Sequence, residues 1–171
     1  MDGEAYFNSD SIIKVDTKVI GELKAKACNN VSGRYRLCMH HAPEESLHEM
    51  FIVRRRGDYG RPEKHLHTAE THLILDGILR IIVFNGDGKI IDFFGLAAED
   101  CLSYRIDAGI YHMSIPLTEQ VVYYEAKLGP FPNEGNMFAE WAPEPGDKEK
   151  VKIFMEGLEA ELKSCPMETK K

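Results

Sequence analysis

The chain is 171 residues long, and its 43% hydrophobic and 29% charged content is ordinary for one globular domain with a real core. A formal net charge of -7 argues against a role in gripping nucleic-acid phosphates, which requires a basic face. No apolar run approaches the roughly 18 residues that a membrane helix needs, so no membrane partner is expected.

Residues 1–15 carry a mixed pattern that reads as an arm or edge strand. Asp16 then stands as an N-cap for a helix over Thr17 to Cys28, with Val19, Ile20, Leu23 and Ala27 on one face and lysines opposite. Asn29, Asn30, Ser32 and Gly33 tolerate turn geometry and end it. From there the apolar period switches to two. Strands are predicted over Tyr35 to His41, Met50 to Arg56, Glu70 to Leu75 and Ile78 to Phe84. Four more follow over Lys89 to Phe94, Cys101 to Ile106, Tyr111 to Ile115 and Gln120 to Lys127.

The one basic run, Arg54-Arg55-Arg56, falls at a strand end and reads as a solvated edge. Asp76-Gly77 has the signature of a tight hairpin turn, and Gly129-Pro130-Phe131-Pro132 closes the strand series. Asp147 to Ser164 is predicted as a second helix with Val151, Phe154, Met155, Leu158 and Leu162 on one side, followed by a frayed tail over Pro166 to Lys171. About eight short strands between two helices argue for an all-β sandwich, jelly roll or barrel.

The cysteines, Cys28, Cys38, Cys101 and Cys165, are far apart and lack a C-x-x-C pair, which fits reduced thiols. The N-terminus carries Asp2 and Glu4 and no apolar core of a signal peptide. A cytoplasmic protein is expected.

Between Gly57 and Gly77 the chain concentrates Glu63, His65, His67, Glu70 and His72, and farther on His112 follows Gly109. Imidazole and carboxylate suit first-row divalent ions, and crowding them together is costly unless a cation offsets the charge. A two-residue Asp76-Gly77 hairpin would set Leu75 opposite Ile78, His72 opposite Ile81 and Glu70 opposite Val83. Glu70, His72 and Ile74 then share a face with Leu79, Ile81 and Val83. If that face is interior, a bare Glu70 carboxylate is strongly disfavoured there, and a metal ion removes the difficulty. Glu63, His65 and His67 are two apart and point together in extended chain. His72 is expected in the pocket wall, and His40, His41 and His48 as structural or solvated. No base accompanies Cys38, Cys101 or Ser103 in sequence, so a nucleophile reading is weak.

Gly57-x5-Glu63-x-His65-x4-Glu70-x6-Gly77 resembles the first motif of the cupin superfamily, and Asp107-x-Gly109-x2-His112 resembles the core of the second. Glu63 stands where the motif has its first histidine, and Asp107 where it usually has proline. Pairing His65 with His67 instead would need a loop two residues shorter before Glu70. The chain is further similar to the WbuC family of cupin-fold metalloproteins. The shared features are Arg34-Tyr35-Arg36, Met50-Phe51-Ile52 with Arg56-Gly57-Asp58-Tyr59-Gly60-Arg61-Pro62, and Phe84-x2-Asp87-Gly88. Glu125-x3-Gly129-Pro130-Phe131 and Phe138-Ala139-Glu140-Trp141-Ala142-Pro143 complete the pattern.

The resemblance implies a cupin-type jelly-roll β-barrel over residues 33–145, with an N-terminal arm and helix over 1–32 and a C-terminal helix and tail over 146–171. It also implies one divalent first-row metal (Fe, Mn, Ni and Zn are not distinguished) held by Glu63, His65, Glu70 and His112. The group occurs beside bacterial surface-polysaccharide genes, so the expected ligand is a small polar molecule such as a sugar or sugar nucleotide. His67, His72, Tyr104, Tyr111 and Tyr123 are candidate proton carriers around that metal. A non-catalytic ligand-binding or sensing barrel and a metal-free sugar-nucleotide isomerase or epimerase are the other readings. Homodimerisation through an open edge strand is expected.

Overall fold

The computed structural model describes residues 5–130 and 136–164. Phe131 and Pro132, and the predicted tail over 166–171, lie outside the described residues. In chain order the elements are β1 (Ala5–Phe7), α1 (Thr17–Asn29), β2 (Arg34–Cys38), β3 (Leu47–Arg55), β4 (Glu63–His65), β5 (Glu70–Asp76) and β6 (Leu79–Phe84). They continue with β7 (Ile90–Leu96), β8 (Ser103–Ile106), β9 (Tyr111–Pro116), β10 (Gln120–Leu128), β11 (Asn136–Phe138) and α2 (Lys148–Ser164).

The strands form two sheets, ordered β1-β2-β3-β10-β5-β8 and β11-β4-β9-β6-β7. Among the described residues all pairings are antiparallel except β1 on β2. The expected arm is therefore an edge strand. β4 and β11 escaped the sequence reading because each is three residues long, too short to display a period, and they pair with one another.

The period-two pattern dictates three apolar layers. Inward residues Met50, Ile52, Ile74, Leu79, Ile81, Leu96, Val121 and Tyr123 fill the space between the sheets. The outer face of β2, β3 and β10 is covered by α1, whose Leu23 and Ala27 pack on Leu37, Val53 and Val122. Asp16 caps that helix by accepting from the Val19 amide at 2.9 Å. The outer face of β6 and β9 is covered by α2, where Leu158 and Leu162 meet Ile82, Phe84 and Met113. Each such aliphatic burial stabilises the fold by about 1.5–3 kcal/mol.

Two expectations require correction. β5 and β6 do not form a hairpin: β5 pairs with β10 and β8, and β6 with β7 and β9. The Asp76-Gly77 turn instead carries the chain from one sheet to the other. It is fastened to the β9–β10 loop, since the Ile78 amide donates to Thr118 Oγ1 at 3.0 Å. Gly77 has φ +79, and a Cβ there would lie 2.4 Å from the Gln120 carbonyl oxygen, so glycine is required. Side-chain parity survives the wrong partner, because alternation depends on each strand alone. The basic run is not a solvated edge either. Arg54 is 4% exposed and faces inward, paired with Asp58 and Ser114; Arg56 is exposed.

Candidate metal centre

Glu70 heads β5, only 4% exposed, between Lys127 of β10 and Ile106 of β8. Two residues on, His72 lies between Glu125 and Tyr104 on the same inner face. The other sheet supplies His65 at the end of β4 and His112 on β9, opposite Val83. The Gly109 amide donates to the His65 carbonyl at 2.7 Å, so the turn leading into β9 is hooked directly onto the ligand-bearing strand. Gly109 has φ +83, which an L side chain would strain.

The result is a convergence on one carboxylate. His65 Nε2 is 2.9 Å from Glu70 Oε2, and His112 Nε2 is 2.8 Å from Glu70 Oε1. Both rings spend their other nitrogen elsewhere. His65 Nδ1 donates to Asn136 Oδ1 at 2.6 Å, and His112 Nδ1 to the Ile110 carbonyl at 3.0 Å. A neutral imidazole with its proton on Nδ1 presents a lone pair at Nε2. Two lone pairs facing a buried carboxylate repel it, so the group needs either two additional protons or one cation. Donor atoms sharing a first-row ion at about 2.1 Å sit about 3 Å apart, matching these contacts. The residues fit a metal ion.

A second convergent group is Glu70, His72 and Glu125. His72 Nε2 lies 3.4 Å from Glu70 Oε1 and 3.2 Å from Glu125 Oε2, yet it is buried with no aligned hydrogen-bond partner. Its Nδ1 is 2.9 Å from the Tyr104 hydroxyl. Burial, then the Glu70 charge, pushes Tyr104 well above the ordinary phenol range, so it keeps its proton to donate to Nδ1. That places the His72 proton on Nε2, facing the two carboxylates.

The charges are strongly perturbed. Burial alone would raise Glu70, but its electrostatic attraction to the neighbouring His72 and the contacts with His112 and His65 hold it well below the usual carboxylate range. Burial would lower His112, and the Glu70 hydrogen bond and charge overcome it, lifting it to about 9. Burial would raise Glu125, but the Lys127 charge, with His72 close by, drives it down to about 2. Lys127 Nζ contacts Glu125 Oε1 at 2.9 Å and stays protonated.

Glu70, His72, His112, Glu125 and Lys127 line a cavity of about 110 Å³ that also takes in Glu63, Ser114 and Tyr123, with Arg34, Arg36, Arg54 and Arg61 along its walls. Of the predicted ligands, His65, Glu70 and His112 come together, and Glu63 lines the cavity in register with His112 without joining either convergent group. His67 is exposed, because β4 ends at His65 and period two stops there. Tyr111 belongs to the outer layer under α2, beside Trp141. His40 and His48 are buried and stacked at 4.1 Å, away from the cavity, and His41 is exposed. Sequence reasoning missed the roles of Glu125, Lys127 and Asn136 and of the inward arginines. Charges two apart on otherwise apolar strands, Arg34 with Arg36 and Glu125 with Lys127, were the available signal.

A family model described as a domain of unknown function (DUF6016) matches residues 15–96, which include Glu63, His65 and Glu70. No curated protein matches the sequence. Among solved structures, the capsular polysaccharide assembling protein CapF from Staphylococcus aureus is similar at TM-score 0.53 and 17% identity, over 61% of this chain and 30% of CapF. L-ribose isomerase from Cellulomonas parahominis, solved with L-ribose, has TM-score 0.50 and 12% identity over 66% of this chain and 72% of the isomerase. Protein SO0799 from Shewanella oneidensis has TM-score 0.51 and 13% identity over 72% of this chain and 87% of that one. The chain spans less than a third of CapF's length. These likenesses establish the fold, a cupin-type jelly roll.

Proposed function

We propose that the protein holds one divalent first-row metal ion on His65, Glu70 and His112, with Glu63 as the further ligand, and acts on a small sugar or sugar nucleotide in surface-polysaccharide metabolism. The observation that carries the metal reading is the pair of imidazole Nε2 atoms aimed at one buried carboxylate while both Nδ1 atoms are already engaged. When bound, such an ion supplies Lewis-acid or redox capacity. Tyr104 and His72 fix the carboxylates, Asn136 fixes the His65 ring, and Lys127 keeps Glu125 ionised. The sugar assignment rests on resemblance to the WbuC family and on fold-level analogy with CapF and the isomerase. We further propose a cytoplasmic homodimer built on the β1 edge, and 33–145 as the barrel domain. Light scattering on the intact chain would report a monomer if the dimer is wrong.

Metal-dependent turnover against a panel of sugars and sugar nucleotides tests the enzyme reading. Turnover restored by one first-row ion after chelation supports it; no turnover with any of them leaves a metal-loaded binding barrel. The same contacts favour one other reading. If both Nε2 atoms carry protons, Glu70 is held in a metal-free ion triplet and a histidine serves as acid or base, as in an isomerase or epimerase. Full activity after chelation would select it.

A further inference from the structure

We propose that the cavity beside the metal group is a subsite for an oxyanion, a carboxylate or a phosphate, and that Arg36 is its principal contact. The proposal rests on the metal reading and narrows the substrate class. Arg36 on β2 pairs in register with Ile52 on β3, and Arg34 pairs with Arg54. Ile52 and Arg54 face inward, so cross-strand neighbours place all three arginines on the inner wall.

Burying guanidinium groups is costly unless each finds an anion. Arg34 and Arg54 share a single carboxylate, Asp58, which Arg34 engages through both oxygens at 2.9 and 3.0 Å. Arg61 contacts Glu144 and the Ala139 carbonyl, and Lys127 contacts Glu125. Arg36 has no carboxylate within ion-pair distance among the described residues, and its buried Nε has no acceptor. Among the described residues it is the one cation of the wall lacking a fixed counter-charge. Its electrostatic reach extends to Tyr123 and Cys38, both interior.

Charge and size agree. Arg34, Arg36, Arg54, Arg61 and Lys127 line the cavity against Glu63, Glu70 and Glu125. Asp58 and Glu144, behind the arginines, bring the group to balance, and a divalent ion would leave it positive. A phosphate dianion would restore neutrality, and a carboxylate would halve the excess. A volume of about 110 Å³ equals roughly four waters, far below the roughly 300 Å³ where drug-sized sites begin. The enclosed space therefore accepts an acidic group and its neighbouring atoms, while the bulk of any nucleotide would remain outside. The fitting ligand is a sugar acid or sugar phosphate.

The test is binding of D-glucuronate, D-glucose 6-phosphate and neutral D-glucose to the wild-type chain by calorimetry, with metal content measured on the same samples. Arg36→Gln and Arg36→Lys are run alongside. At least one anionic probe should bind at millimolar concentration, glucose should not, and Arg36→Gln should weaken the anion about tenfold at unchanged metal content. Arg36→Lys should recover part of the loss. Glucuronate alone binding assigns a carboxylate, and glucose 6-phosphate alone assigns a phosphate. Equal binding of glucose, no binding of either anion, or undiminished anion binding by a folded Arg36→Gln chain overturns the subsite. If the wild type binds anion through Arg36 but holds no metal, the subsite stands and the metal reading falls.

Discussion

His112 Nε2 lies 2.8 Å from Glu70 Oε1, although the two residues belong to different sheets, β9 in one and β5 in the other. An ion held there joins the two walls of the barrel. Binding that is confined to the folded state stabilises by mass action, about 2.7 kcal/mol at a free concentration 100 times Kd.

Glu70→Gln keeps the shape of the side chain and removes the charge that both imidazoles address. Metal content should fall sharply in this variant and in His112→Ala. The melting temperature of each should no longer rise when the ion that stabilises the wild type is added. Calorimetric melting with and without metal reads both effects.

His72 faces the carboxylates with a nitrogen that no partner aligns with, and Tyr104 holds its other side. His72→Gln should retain the metal stoichiometry and lower affinity by about 10–100-fold, as for groups that orient ligands. Competition with a chelator of known affinity measures it. Complete loss of binding would make His72 a ligand.

His48 is a control for histidine chemistry in general. It stacks on His40, and its Nε2 lies 3.0 Å from the Pro43 carbonyl. His48→Ala should leave metal content unchanged while costing about 1–2 kcal/mol of stability from the lost contact. Elemental analysis and urea unfolding separate the two outcomes.

Asp58 is clamped between Arg54 and Arg34, and its side chain is 5% exposed. Burial would raise its pKa, but the two guanidinium charges overcome that and hold it below the ordinary 3.8. A depressed folded-state value means that its stabilisation is fully present above pH 3.8 and disappears as pH falls through the lower folded value. Asp58→Asn should cost about 3 kcal/mol at neutral pH. The gap between variant and wild type should hold down to about pH 4 and close below it, as measured by unfolding at a series of pH values.

The parts of this protein legible in sequence are those governed by a local period. Val19, Ile20, Leu23 and Ala27 announced α1 and its buried face, and Leu158 and Leu162 did so for α2. Glu70, Ile74, Ile81 and Val83 share the inner face that their spacing predicts, even though β5 and β6 lie in different sheets. What a period cannot reveal is which strand lies beside which. That is why Glu125 and Lys127, brought to Glu70 by the β10–β5 pairing, were overlooked, as was Asn136, carried to His65 by a three-residue strand. The inward placement of Arg54 is hidden for a related reason. Its run of like charge pointed to solvent, whereas the partner that keeps it inside, Asp58, lies across a turn.

The most direct test is the metal content of the intact chain, purified without an affinity tag or added metal, set beside Glu70→Gln prepared in the same way. About one first-row ion per wild-type chain is expected, and close to none in the variant. A folded wild type that stays empty after equilibration with manganese, iron, nickel and zinc, or a variant that carries as much metal as the wild type, would contradict the assignment of Glu70 as the anchor of the site.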